Sequence, residues 1–263
     1  MRLKFVKASP CSNTTVFILD EVDKLQYSKV AAAVMDYDHL YAEQLGYIVP
    51  AADGQAVFRL EMSGGEFCGN ALLSAAALVK YHKLSTDNRF YLESSGVDGI
   101  LMCEAEEIVA GKYYSRAEMP AGNKRRKLSL TADGEVYRGT LVSLNGISHF
   151  VFAGEIPDRK YVAIMAALVQ ECKNSAYGII PYKQLATDEY YIRPYVYVPE
   201  TDSYVFEQAC GSGSLSLGIV LADGLAKDIA VRQPGGKIKV SIGEKNYISS
   251  EVFFSCEGTV SIL

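Results

Sequence analysis

Two cysteines stand out by the residues on their C-terminal side. Cys68 opens the segment CGNALLSAAALV and Cys210 opens CGSGSLSLGIVL; both run Cys-Gly, Leu-Ser at the sixth and seventh positions, then apolar residues. A helix N-terminus leaves its first N–H groups unsatisfied and carries a partial positive charge. A thiol placed there can ionise well below its ordinary pKa of about 8.5, and a glycine after it lets backbone amides approach a carboxylate. One Cys-Gly alone reads as core packing, because buried cysteine is common. Two related segments, at 68 and 210 in a chain of 263 residues, imply a duplicated unit that presents one cysteine per copy. Two thiols around one carbon suit inversion of a stereocentre without a cofactor. One, as thiolate, removes the α-proton while the other delivers a proton to the opposite face. The helix ends can hold the substrate carboxylate and the enolate-like charge that develops.

The elements that must position these residues are short strands and two kinds of helix. The runs LKFVKA and TTVFILD read as strands around a turn at 9–13, with a helix over about 28–40 after them. A strand at 57–62, the turn Ser63-Gly64-Gly65 and an apolar helix over 69–81 come next, then strands RFYLES, GILMCEA and KYYSRAEM. Pro120 and the polar stretch 121–127 look like a connector. The order then repeats, with strands at 136–144 and 149–153, a helix over 157–173, Tyr-rich strands at 189–198 and an apolar helix over 211–225. IKVSI and EVFFSC close the chain. The expected division is 1–118, carrying Cys68, and 119–263, carrying Cys210, with the last strand a candidate to return to the first half.

The rest of the sequence narrows the field. Hydrophobic residues make up 49% and charged residues 22%, which excludes a disordered polymer and leaves apolar surface for a core. A net charge of −5 argues against a nucleic-acid partner, and Lys124-Arg125-Arg126-Lys127 reads as a solvated loop. No apolar run reaches the ~18 residues of a membrane span, and no signal peptide is apparent, so a cytoplasmic location is expected. The six cysteines are too dilute for a disulfide scaffold. No CxxC, HExxH, GxGxxG or GxxxxGK[ST] is present, so metal and nucleotide sites lack motif support. Cys103, Cys172 and Cys256 read as core residues.

SGGEFCGN and ACGSGS, with PGG downstream, resemble the two cysteine motifs of the diaminopimelate epimerase and proline racemase superfamily, and most closely those of its histidine racemases. The likeness runs through Ser12-Asn13, Glu43-Gln44, SGGEFCGN, His149, Pro199-Glu200, CGSGS and Gln233-Pro234-Gly235-Gly236. It implies an α+β fold of two pseudo-symmetric halves, each a barrel-like sheet around a central helix. It further implies an isomerase that needs neither pyridoxal phosphate nor metal, acts on a small amino acid and forms a homodimer. Carried over residue by residue, Cys68 and Cys210 become the acid/base pair, with His149 and Glu200 in support. Asn13, Gln44, Gly69, Asn70, Gly211, Ser212 and Glu43 become substrate-binding positions.

Histidine rather than diaminopimelate is the expected substrate. A second amino-acid head needs an Arg after the supporting Glu and several Asn side chains. Here Thr201 follows Glu200, and Ile147, Tyr177 and Glu61 stand where Asn is expected. Glu43, Glu61 and Glu207 are the carboxylates that could meet an imidazole. Two other classes stay open: a dithiol redox protein using Cys68 and Cys210, and a non-catalytic amino-acid-binding paralogue.

Overall fold

The computed structural model describes residues 1–262, and they fall into two units: residues 1–119 with 248–262, and residues 120–247. In the first unit the strands are Arg2–Pro10 (β1), Thr15–Ile18 (β2), Gln44–Val49 (β3), Ala56–Met62 (β4), Arg89–Ser94 (β5), Ile100–Val109 (β6) and Lys112–Met119 (β7). Helix Tyr27–Met35 (α1) crosses from β2 to β3, and helix Gly69–Tyr81 (α2) crosses from β4 to β5. Both crossovers join parallel strands, whereas β3–β4, β5–β6 and β6–β7 are antiparallel. The alternating pattern of β1 sends Leu3 and Phe5 toward α1, where they meet Val30, Ala31 and Val34. Helix α2 is apolar on every side and is buried from Gly69 to Val79 against β1, β4, β6 and β7, as a helix without a polar face must be.

The second unit repeats the plan. Its strands are Lys124–Ala132 (β8), Glu135–Ser143 (β9), Ile147–Ala153 (β10), Ala176–Ala186 (β11), Glu189–Ile192 (β12), Tyr195–Val198 (β13), Ser203–Phe206 (β14), Lys227–Gln233 (β15) and Gly236–Ile242 (β16). Helix Tyr161–Glu171 (α3) joins the parallel pair β10–β11, and the connection between the parallel pair β12–β15 runs through β13, β14 and helix Gly211–Ala222 (α4). An antiparallel β11–β12 hairpin lies between the two crossovers, as β3–β4 does in the first unit. Helix α3 covers one face of the sheet, with Ile164, Met165 and Leu168 against Leu128, Leu130, Phe150 and Ile179. Helix α4 packs on β9, β10, β11, β15 and β16.

The last strand, Asn246–Ser261 (β17), belongs to the first unit from Ile248 on. It pairs with β1 from Arg2↔Ser261 to Pro10↔Val252 and also with β7. The ladder of the first unit therefore returns to its starting strand. The two halves are thus α+β units of one topology, each a mixed sheet around a helix that begins at a cysteine. A regular barrel is too simple a description, because parallel and antiparallel neighbours mix and β13–β14 branches from β11.

Several local expectations change. Lys124–Lys127 does not lie in a connector but forms the solvent-exposed start of β8, paired with β9. Helix α1 stops at Met35 because Asp36 turns the chain, its Oδ1 accepting from the Asp38 amide at 2.9 Å. Helix α3 starts at Tyr161 after a 3₁₀ turn, and α4 ends at Ala222. Cys103 is buried, but Cys256 is exposed where β17 slips register against Lys7. Among the described residues no helix is long and apolar enough to cross a membrane.

Candidate active site

Cys68 is the N-cap of α2. Its backbone is extended (φ −129°, ψ 112°), and its sulfur folds back to accept the Ala71 amide at 3.4 Å. The thiol also donates to Gln44 Oε1 at 2.8 Å, and Gln44 Nε2 donates to Asn13 Oδ1 at 2.7 Å. Asn13 is fixed by a tight turn in which Cys11 and Ser12 both adopt positive φ and the Asn13 amide bonds to Pro10 O at 3.0 Å. Three separate elements thus converge in one chain, Asn13–Gln44–Cys68. Gly69 fits because a side chain there would press on Ile248 and Met119. The amides of Gly69 and Asn70 open the helix, where no preceding turn supplies a carbonyl.

Cys210 caps α4 in nearly the same conformation (φ −122°, ψ 108°), with its sulfur accepting the Gly213 amide at 3.3 Å. Ser212 Oγ lies 3.4 Å from that sulfur and 2.9 Å from His149 Nε2. Gly213 is tight against Cys210 Sγ and Ile180, so a larger residue would displace the sulfur. Burial pushes the Cys210 thiol well above its ordinary value, and the hydrogen-bonded Glu207 carboxylate pushes it further; Ser212 and the Gly213 amide act in the opposite direction. Burial and the carboxylate act against the ionisation that a helix end favours. Desolvation and a neighbouring anion outweigh two hydrogen bonds.

His149 is fully buried on β10, and desolvation lowers its pKa to about 3. The imidazole is neutral at physiological pH. Its Nδ1 has no hydrogen-bond partner, so the tautomer that strands no buried N–H carries its proton on Nε2. Nε2 then donates to Ser212 Oγ, which leaves the Ser212 proton to point at Cys210. This arrangement needs Gly178, paired with His149 across β10–β11, because a Cβ at 178 would lie 2.1 Å from His149 Nδ1.

The other sequence candidates divide. Glu207 sits against Cys210, whereas Glu200 is exposed on the 3₁₀ turn Pro199–Thr201. Glu43 adjoins Gln44, with its amide donating to Thr14 Oγ1 at 3.1 Å, and desolvation raises its carboxyl pKa. Glu61 is spoken for: it pairs with Arg59 and, at 3.3 Å, with Lys24, which hold its carboxyl below the usual range against the opposing effect of burial. Tyr177 belongs to the α3 cluster, its hydroxyl donating to Cys172 O at 3.0 Å, and so lies on the sheet face away from His149. Sequence reasoning missed Gly178 as a site residue. It noticed Gln233 only within QPGG, although Gln233 Oε1 accepts the Cys210 amide at 2.6 Å.

A family model described as the histidine racemase CntK N-terminal domain matches residues 2–263. A histidine racemase of Fusobacterium nucleatum is 31% identical over 268 residues, covering 99% of this chain and 97% of that protein. A histidine racemase of Staphylococcus aureus is 27% identical over 244 residues, covering 91% and 88%. Among solved structures, a hydroxyproline epimerase of Agrobacterium vitis gives a TM-score of 0.73 at 10% identity over 98% of this chain and 92% of that one. A PhzF-family phenazine biosynthesis protein of Bacillus anthracis gives 0.72 at 11% over the whole of both. These two likenesses establish the fold. With two cysteine-capped crossover helices in repeated units and a family match along nearly its whole length, the chain belongs to the histidine racemase family and is an isomerase.

Proposed function

We propose that the protein interconverts L- and D-histidine without a cofactor, using Cys68 and Cys210 as the acid/base pair. The observation that carries this reading is the equivalence of the two cysteines. Each caps the second crossover helix of its unit, with its sulfur drawn to an amide of the first turn. In one direction a thiolate takes the α-proton of the amino acid and becomes a thiol. The opposing thiol gives its proton to the other face of the carbon and becomes the thiolate. The reverse direction exchanges these roles, so the enzyme ends each turnover with one proton moved from one sulfur to the other.

In this scheme the amides of Gly69 and Asn70, and of Gly211 with Ser212, receive the carboxylate and the charge it gains as the carbon becomes planar. Asn13 and Gln44 orient the amino-acid head and hold Cys68. His149 steadies Ser212, and Ser212 supports the Cys210 thiolate. Glu43 is the carboxylate proposed to meet the imidazole of the substrate, Glu61 being already paired with two cations. Glu200 is proposed as a further support for the reacting centre. A diaminopimelate side chain would bring a second carboxylate with Thr201 where a cation is needed, and an unpaired buried charge is costly. A homodimer in the cytoplasm is the setting proposed for the enzyme, and sedimentation velocity reads its assembly.

The test is turnover. L-histidine, D-histidine and LL-diaminopimelate at equal concentration are followed by circular dichroism, with loss of the α-proton in D₂O read by NMR. Histidine should invert from both sides, and Cys68→Ala or Cys210→Ala should abolish it. Full turnover by either variant would overturn the two-thiol scheme, and faster inversion of diaminopimelate would overturn the substrate.

A further inference from the structure

The amide of Cys210 is held by a side chain from another strand, which also orients the Ser214 hydroxyl that bonds to the Cys210 carbonyl. Gln233, the last residue of β15, is buried; its Oε1 accepts the Cys210 amide at 2.6 Å and its Nε2 donates to Ser214 Oγ at 2.9 Å. Ser214 Oγ in turn donates to the Cys210 carbonyl at 2.8 Å. Two residues beyond Gln233, the Gly235 amide bonds to Gln208 O at 2.8 Å. The turn after β15 thus grips the strand-like segment before α4 at residues 208 and 210, and the glutamine closes a ring through Cys210 N–H and C=O. Neither bond from Gln233 touches sulfur. The first unit is different: Gln44 bonds directly to the Cys68 thiol.

We propose that Gln233 is a positioning residue for Cys210, whose carboxamide fixes the backbone from which the sulfur is presented to the substrate. This rests on the reading of Cys210 as an acid/base group. The φ and ψ of Cys210 set where Sγ lies relative to the Gly213 amide and Ser212 Oγ. Gln233 holds the Cys210 amide directly and orients the Ser214 hydroxyl on its carbonyl, which also accepts the Ser214 amide at 3.0 Å. An apolar residue of the same size would keep the packing and lose the ring. A reacting group displaced by about 1 Å can lose on the order of 10²-fold in rate.

Gln233→Met and Gln233→Glu are compared with wild type by kcat, KM, melting temperature and the rate of Cys210 alkylation by iodoacetamide, read by peptide mass spectrometry. Gln233→Met should lower kcat by about 10- to 100-fold and leave KM within about threefold. It should change Cys210 alkylation severalfold while Cys68 alkylation stays as in wild type. Gln233→Glu keeps the acceptor for the Cys210 amide and should recover part of the lost kcat. Ser214→Ala breaks the ring at its other member and should give a smaller loss of the same kind, which tests the idea even if Gln233→Met does not fold. Wild-type kcat together with wild-type Cys210 alkylation in Gln233→Met would overturn the proposal. If the wild-type protein fails to racemise histidine, the function reading falls, while the Cys210 alkylation rate in Gln233→Met still decides the role of Gln233.

Discussion

Gly178→Ala should damage the protein through one side chain only. The added methyl would sit 2.1 Å from His149 Nδ1 and 2.6 Å from its Cε1, whereas ordinary carbon contacts begin near 3.5 Å. The imidazole must therefore move by more than about 1 Å, and with 0% exposure it has no open space to enter. That shift either drives the ring into packed neighbours or breaks the 2.9 Å bond to Ser212. Overpacking costs about 1–3 kcal/mol, and leaving a buried polar group unsatisfied costs about 1–3 kcal/mol more. Together these give about 2–6 kcal/mol, and at about 2–4 °C per kcal/mol for a chain of this size the melting temperature should fall by roughly 4–24 °C. The decisive assay is a double-mutant cycle by urea titration and calorimetry. In a His149→Ala background the methyl enters space the ring has left, and its cost should drop below about 0.5 kcal/mol. The same penalty with and without His149, or no penalty in either, would refute the argument that Gly178 exists to admit the imidazole.

Two further outcomes rest on the same geometry. His149 has its pKa lowered to about 3 from 6.5, so below pH 6.5 the unfolded chain binds a proton that the folded chain refuses. Stability present above pH 6.5 should be lost as pH falls toward 3, by about 1.4 kcal/mol per unit in the steep part of the range; urea midpoints of wild type and His149→Gln should converge on acidification, and parallel curves would contradict the burial. In the native protein iodoacetamide should modify exposed Cys256 long before Cys103, which is buried with its thiol pushed up by desolvation; the reverse order by mass spectrometry would refute the placement of β17.

The legible part of this protein was local. Cys68 and Cys210 each precede a run of apolar residues longer than a strand, and that alone locates a cysteine at the head of a buried helix. The match between the two segments then gives the repeated topology. The hidden part depends on partners distant in sequence. Gly178 reads as a strand breaker, and Pro181 beside it hides β11, yet the glycine is required by an imidazole 29 positions earlier in the neighbouring strand. Gln233 belongs to an exposed-looking QPGG turn until its bond to the Cys210 amide is known. At Cys210 the helix end is visible in sequence, whereas the burial and the Glu207 carboxylate that oppose its effect are not. Lys124–Lys127 misled for the opposite reason: four cations suggest a loop, but a strand whose first residues are exposed to solvent tolerates them.

The return of β17 has a consequence for the order of folding. Residues 120–247 form a continuous unit and can mature as soon as they are synthesised. The unit that holds Cys68 cannot, because β1 and β7 both await a strand made after the second unit. The pairing Arg2↔Ser261 joins residues far apart in sequence, and such closure is slow and entropically costly. Until it happens, β1 and β7 stand as open edges, ready to pair with other chains. The first turn of α2 is incomplete too, since Gly69 rests on Ile248. Cys68, translated before Cys210, thus acquires its surroundings after it, so a nascent or clipped chain lacking residues 248–261 would carry a finished Cys210 and an unfinished Cys68.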